Sequence, residues 1–467
     1  MVLLQLVLPC PAYGNARPHD CGKGLRLGHP MRGFLSRLVS GFSLAQASLL
    51  CLAAGYASAT LQELPMIQAT DGEWVLSEGV YEGNFAVSRS LHFRCLPGAV
   101  INAGGQGHGL RLRAPDITVR DCEIQNWGRN LTNLDAGIFI ERQAAGAVVE
   151  NVRLSGPGFG VWVDATPNVT LRGNQIQGDV SVRSQDRGNG IHLFAVTGAL
   201  VEGNEVSQTR DGIYIDTSNN NTLADNFLHD LRYGVHYMYS HDNAVLNNCT
   251  LRTRTGYALM QSRNLTVEGN YSEQDQNYGI LMNYITYSTL RNNQVVAVKQ
   301  GGMAGVGVDG AEGKALFVYN SPFNVFERNR FEQSDIGVHL TAGSEDNLVG
   351  GNAFIHNRRQ VKYVATRLQE WSTNGKGNYW SDYLGWDRNA DGIGDVPYEP
   401  NDNVDRLLWT YPQARLLMHS PSIDVLRWAQ QAFPVVKSPG VRDSAPLMRN
   451  TVQHEAQTAC RKKGRGK

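Results

Sequence analysis

Two methionines 22 residues apart, Met238 and Met260, close two related phrases: Gly-Val-His-Tyr-Met over 234–238 and Gly-Tyr-Ala-Leu-Met over 256–260. His236 stands two residues before the first methionine, and Asp216 and His192 hold related places in earlier phrases. Thioether sulfur and imidazole nitrogen are the donors that select Cu(I) over harder ions. They can act together only if the chain stacks residues that lie 22 apart.

The sequence says that it does. Gly followed by apolar, any and apolar residues recurs at Gly137, Gly160, Gly190, Gly212, Gly234, Gly256, Gly279 and Gly337, and from Gly190 to Gly279 the steps are 22, 22, 22 and 23 residues. A second phrase, apolar residues ending in asparagine, keeps the same beat at Asn204, Asn226, Asn248, Asn270 and Asn293. It extends outward to Asn151 and Asn174, and to Asn329 and Asn352. Short strands of fixed period punctuated by Gly and Asn predict an all-β chain, a right-handed parallel β-helix with coils of about 22 residues over 60–367. The asparagines fit a stacked turn position whose amides bond along the stack. Longer steps place insertions on one edge, the longest being the Gly-rich stretch 300–314.

Side chains alternate sides along a strand. The apolar residues one and three places after each Gly then point inward, and those two and four places after it point outward. The outer columns gather His192, Tyr214, His236 and Trp162 in one file, and Asp216, Met238 and Met260 in the next. Met238 and Met260 are expected about 4.8 Å apart as stacked neighbours. His192 is two coils from His236, so it joins only through a second ion or a moved side chain. The plain alternative is that outward methionines and rings fill space beneath a loop or a partner. The competing function is that of a β-helix lyase, epimerase or hydrolase acting on an acidic polysaccharide, which needs paired carboxylates. Asp164, Asp186, Asp211 and Asp216 are available, but Asp211 is expected in a turn before Gly212 and Asp186 in an insertion.

Composition supports a turn-rich β protein. The 467 residues include 50 Gly and 9% aromatics, and 43 basic residues balance 43 acidic ones. A charged fraction of 18% argues against bulk nucleic-acid binding. Met31, Arg32 and Arg37 form a basic start, 38–54 is an apolar run, and Ala57-Ser-Ala59 is a cleavage pattern. Residues 31–59 therefore read as a secretory signal, with 1–30 an upstream extension. Without 1–59 the balance is 38 basic to 42 acidic residues. Five of those bases crowd the last seven positions, so 450–467 is expected to be a disordered basic tail. Cys95, Cys122, Cys249 and Cys460 remain, too few and scattered for a disulfide scaffold, and their pairing is left open.

Beyond Arg367 the period stops. The aromatic phrase 377–386 is expected to cap the open end of the solenoid, as part of a cap over 368–420. Asp387, Asn389, Asp391, Gly392 and Asp395 match the opening of a calcium loop, although position twelve is Tyr398 rather than Glu. Structural calcium and a solvated acidic turn are the two readings. Ser422–Phe433 reads as an amphipathic helix within a docking segment 421–449, with Leu426, Trp428 and Phe433 as candidate partner contacts.

The chain resembles the NosD family, periplasmic maturation factors of nitrous oxide reductase. The resemblance rests on the 22-residue coils, on GNYWSDYLGWDRNADGIGDVPYEP at 377–400 and on DRLLW at 405–409. It continues through YPQARLLM at 411–418, GVRDS at 440–444 and PLM at 446–448. It implies a non-enzymatic periplasmic component bound to an ABC transporter made of a membrane subunit and a cytoplasmic ATPase. It also implies work with a copper chaperone lipoprotein in assembling the copper–sulfide centre of the immature reductase. No ligand set is carried over from the family; His236, Met238, Met260, Asp216 and His192 are read from the columns alone.

Overall fold

The computed structural model describes residues 62–69, 72–300, 313–364, 367–401, 403–411, 413, 420–432, 440–452 and 460. The expected extension and signal, most of the 300–314 insertion and most of the basic tail lie outside the described residues, as does Phe433.

The described chain is a parallel β-helix. Its three long faces are sheets of thirteen strands each among the described residues, and successive strands in each sheet come from successive coils. Pairing is parallel and in register throughout the middle coils, so that Ile213 stacks on Val235 and Val235 on Tyr257. These residues and Ile215, Tyr237 and Leu259 are fully buried, which is the inward parity expected from the Gly phrases. One continuous apolar core runs from Leu64 to Val441.

The asparagine stack is a corner of the coil. In each step an asparagine Oδ1 accepts both the backbone N–H and the side-chain amide of its counterpart one coil earlier. The second amide hydrogen goes to a carbonyl of that earlier coil. For Asn248 the donors are Asn226 N at 3.1 Å and Asn226 Nδ2 at 2.8 Å, and its own Nδ2 reaches Leu223 O at 2.9 Å. Such self-satisfaction lets a polar side chain lie fully buried. The ladder runs from Asn174 to Asn352 and on to Asn378. Asn151 is not part of it. It sits exposed at a left-handed φ of 55°, one residue outside the corner, and Val152 N takes the ladder bond instead.

The ladder ends on a carboxylate. Asp443 Oδ2 accepts Asn378 N at 2.7 Å, Asn378 Nδ2 at 3.2 Å and Trp380 Nε1 at 2.8 Å. Two distant phrases, 377–380 and 440–444, are thereby one device. Gly377 has no alternative here, since a Cβ would fall inside the Asp443 carboxylate. Trp380 stacks on Phe354 at 4.2 Å and, with Trp371, closes the core, whereas Leu384 and Trp386 from the same aromatic phrase are exposed. Two disulfides, Cys95–Cys122 and Cys249–Cys460, pair all four cysteines of the body, the second tying the C-terminal segment to the flank of the solenoid. Two short helices, Asn403–Thr410 and Pro421–Ala432, complete the described chain. The second begins at Pro421, one residue before the start expected at Ser422, because proline suits the first helical position.

Candidate functional site

The middle coils hold their outer columns as the parity predicts. Met238 is the register partner of Met260, and Asp216 is that of Met238. Both methionines are half-buried on the outside of the sheet, and neither enters the core. A serine ladder in the following corner fixes their backbone. Ser240 Oγ donates to Met238 O at 2.9 Å, Ser262 Oγ donates to Met260 O at 2.8 Å, and Ser262 Oγ accepts Ser240 N at 3.0 Å.

The inner of the two outer columns is more enclosed than an open strand face would be. Trp162, His192, Tyr214 and His236 stack in order, with ring centroids 4.0, 4.6 and 4.3 Å apart. Each ring covers its neighbour, so His192 and His236 are buried although they point away from the core. His192 does not meet the methionines, because the Tyr214 ring of the intervening coil fills the gap. Burial pushes His192 down to about 3, aided by the Arg210 charge, which keeps it neutral.

His236 has a different setting. Its Nδ1 lies 3.1 Å from Asp211 Oδ2, and its ring is held between Tyr214 and the edge of Tyr233 at 4.9 Å. Its Nε2 is buried and has no hydrogen-bond partner. Asp211 is not in a turn, as expected, but begins the strand Asp211–Asp216 and is wholly buried. Arg232 holds it with two bonds, Nε to Oδ1 at 2.7 Å and Nη2 to Oδ2 at 2.6 Å. Burial alone would raise its pKa, but the bonds from His236 and Arg232 outweigh burial and hold it below the ordinary carboxylate value. The count from the glycines missed Asp211, whose place beside His236 appears only in the fold.

The arrangement offers two stacked thioethers and an unpartnered imidazole nitrogen on adjoining columns. His236 and Met238 are two residues apart on one strand face, roughly 6.6 Å along it. This donor set suits a soft monovalent cation. Asp216 is a hard oxygen donor at the edge of the set, half-exposed and accepting Thr217 Oγ1 at 2.9 Å. Among the described residues no three His, Cys, Asp or Glu side chains converge as a metal-binding group, so any soft-ion site here depends on the sulfurs.

Beside the methionines lies an aromatic patch whose corner residues the column count does not reach. Tyr239, Tyr284, Tyr287, Tyr319 and Phe323 are exposed, with Tyr287 stacked on Phe323 at 5.4 Å. Tyr239, Tyr284, Tyr287 and Phe323 adopt left-handed φ values of 50°, 56°, 52° and 62°, a region where bulky side chains are rare. The equivalent corner positions of neighbouring coils carry Thr217 and Gln261 in one column and Asn220, Asp242 and Asn264 in the next.

The carboxylates do not form a cleavage pair. Asp164 and Asp216 lie two coils apart with Phe194 between them, and Asp186 sits in a short 3-10 turn of the insertion. In the calcium-like loop, Gly392 has φ +85° and its N–H donates to Asp387 Oδ2 at 2.8 Å, while Asp391 Oδ1 accepts Ile393 N and Asp395 Oδ2 accepts Arg388 N. The loop's own N–H groups thus gather its acidic side chains. Of the docking candidates, Trp428 is exposed on the helix Pro421–Ala432, which also contains Leu426.

The fold and this face define a parallel β-helical protein whose outer surface carries soft metal donors. A family profile described as "Periplasmic copper-binding protein (NosD)" matches residues 172–385. A protein of Pseudomonas aeruginosa named "Probable ABC transporter binding protein NosD" is 61% identical over 83% of this chain and 90% of its own length. One of the same name from Stutzerimonas stutzeri is 60% identical over 87% of this chain and 94% of its own. The chain belongs to the NosD family. Its relatives are named as binding proteins and not as enzymes, which sets the polysaccharide-enzyme reading aside. Among solved structures, a mannuronan C-5 epimerase A-module of Azotobacter vinelandii is similar at 13% identity, with TM-score 0.41, over 66% of this chain and 89% of that one, and carries no functional argument. No helix among the described residues is long and apolar enough to cross a membrane.

Proposed function

We propose that this chain is a periplasmic accessory protein that takes up Cu(I) as cargo on Met238, Met260 and His236 and passes it on during assembly of the copper–sulfide centre of nitrous oxide reductase. The observation that carries the reading is the register of Met238 against Met260, beside a buried His236 Nε2 without a partner. Thioethers hold Cu(I) firmly enough to receive it and loosely enough to release it. The family description as copper-binding supports the choice of metal. The exposed aromatic patch around Tyr239, Tyr284 and Tyr319 is where the copper chaperone lipoprotein, and afterwards the immature reductase, would dock, since large rings on a surface favour protein contacts. Asp216 borders the exit from the site, and His192 belongs to its wall.

The relatives' name supports attachment to an ABC transporter. In this reading the chain is exported on its signal segment and held at the membrane through the transporter's membrane subunit. Trp428 and its helix make that contact, with Leu426 and Phe433, and the ATPase drives release. The loop Asp387, Asn389, Asp391 and Asp395 holds a structural calcium ion, so a chelator should lower the melting midpoint; an unchanged midpoint removes calcium from the account.

The deciding experiment is competition for Cu(I) between the purified protein and a chromophoric chelator. Changing Met238→Leu and Met260→Leu together should weaken binding at least tenfold with the fold intact. Unaltered affinity would remove the assignment.

A further inference from the structure

His192 and His236 occupy the same column, two coils apart, and both present a buried Nε2 without a hydrogen-bond partner. What differs is the group that touches Nδ1. At His192 it is the amide of Asn189, with Nδ2 at 3.1 Å. The orientation of that amide is fixed from its other side, because Arg210 Nε donates to Asn189 Oδ1 at 3.2 Å. The NH2 group therefore faces the imidazole, Nδ1 must accept, and a neutral His192 carries its proton on Nε2. At His236 the group is the carboxylate of Asp211, which has no hydrogen to give. Its oxygens are already aligned by the two bonds from Arg232. Here Nδ1 must carry the proton and donate it, and a neutral His236 keeps its lone pair on Nε2.

We propose that Asp211 is a positioning residue that fixes His236 in the Nδ1–H form, leaving Nε2 as a ligand for a soft metal ion, while Asn189 imposes the opposite tautomer on His192 and excludes it from ligation. The metal half of this inference rests on the copper reading above. An imidazole that ligates through one nitrogen gains basicity and a fixed orientation when the other donates to a carboxylate. The neighbouring rings complete the constraint: Tyr214 stacks on His236 within 20° of parallel, and Tyr233 meets it edge-on at 82°. Arg232 in turn lies over Tyr233 at 4.5 Å, so the carboxylate, the guanidinium and both rings hold one another.

The test uses the metal-free protein labelled with 15N-histidine, in which the ring nitrogen shifts of His236 and His192 report where each proton resides. The wild type should show Nδ1–H at His236 and Nε2–H at His192. In Asp211→Asn, Arg232 captures the amide oxygen and turns the NH2 toward the ring, so His236 should switch to Nε2–H and Cu(I) affinity should fall at least tenfold. Asn189→Asp should move His192 to Nδ1–H and leave His236 as it was. A wild-type His236 protonated on Nε2 overturns the inference, whatever the variants do. Expected tautomers, with Cu(I) affinity unmoved by both Asp211→Asn and Met238→Leu, would sink the copper reading and leave the tautomer assignment standing. Affinity lost in Met238→Leu but kept in a tautomer-switched Asp211→Asn would spare the copper reading and overturn the role of Asp211.

Discussion

The asparagine corner and the outer column of the middle coils are products of the same register, and they use it in opposite ways. In the corner, coil after coil repeats one residue, and every donor and acceptor of Asn204, Asn226 and Asn248 finds a partner in the adjoining coil. In the column nearly every coil differs, reading Trp162, His192, Tyr214, His236 and Ala258, and Trp162 Nε1, His192 Nε2 and His236 Nε2 are buried without partners. A solenoid gains stability from sameness along its stack. Where it departs from sameness and leaves buried polar atoms unsatisfied, it forgoes stability for another purpose.

The comparison breaks first at the ladder. Asn248→Ala removes the acceptor of two buried donors on Asn226 and the donor to Leu223 O, so on the order of 3–5 kcal/mol should be lost. A urea titration should show the midpoint falling sharply. A small change would mean that the ladder is decoration. Asp443→Ala should have a comparable effect by uncapping Asn378 and Trp380 together.

A smaller effect should appear with pH. Asp275 replaces the uncharged side chains of the other corners and accepts Thr253 N at 2.8 Å and Thr253 Oγ1 at 2.7 Å while wholly buried. Burial raises it from 3.8 to about 6. The folded state then favours the protonated acid. This contribution is present in full below pH 3.8 and is lost as the pH rises through about 6, with an amplitude on the order of 2–3 kcal/mol. Melting midpoints across that window should decline in the wild type relative to Asp275→Asn, and parallel curves would refute the burial argument.

Most of the frame was legible because a period of 22 is a statement about stacking, and parity follows from it. The inward Val235 and Tyr237 and the outward Met238 could be read by counting. Three things could not. Asn151 lies 23 residues before Asn174 and so one residue outside the ladder, whose place in that coil is held by Val152. Asp211 looked like a turn residue because it precedes a glycine, and only the fold brings Arg232 and His236 onto its carboxylate. The pairing of Cys249 with Cys460 spans 211 residues and needs the C-terminal segment to return along the solenoid, which no local pattern announces.

The smallest expected change in stability is also the one that best separates the two regions. Met238→Leu with Met260→Leu exchanges side chains of similar volume at half-exposed positions, and without metal it should shift stability by less than about 1 kcal/mol. With Cu(I) buffered at a hundredfold its dissociation constant, the wild type should gain about 2.7 kcal/mol by mass action, whereas the double variant, weakened at least tenfold, should gain about 1.4 kcal/mol or less. Equal gains would place the copper elsewhere on the chain. A large loss in the metal-free variant would show that the methionines pack as the asparagines do, and the distinction between a structural corner and a functional column would fail at its central coils.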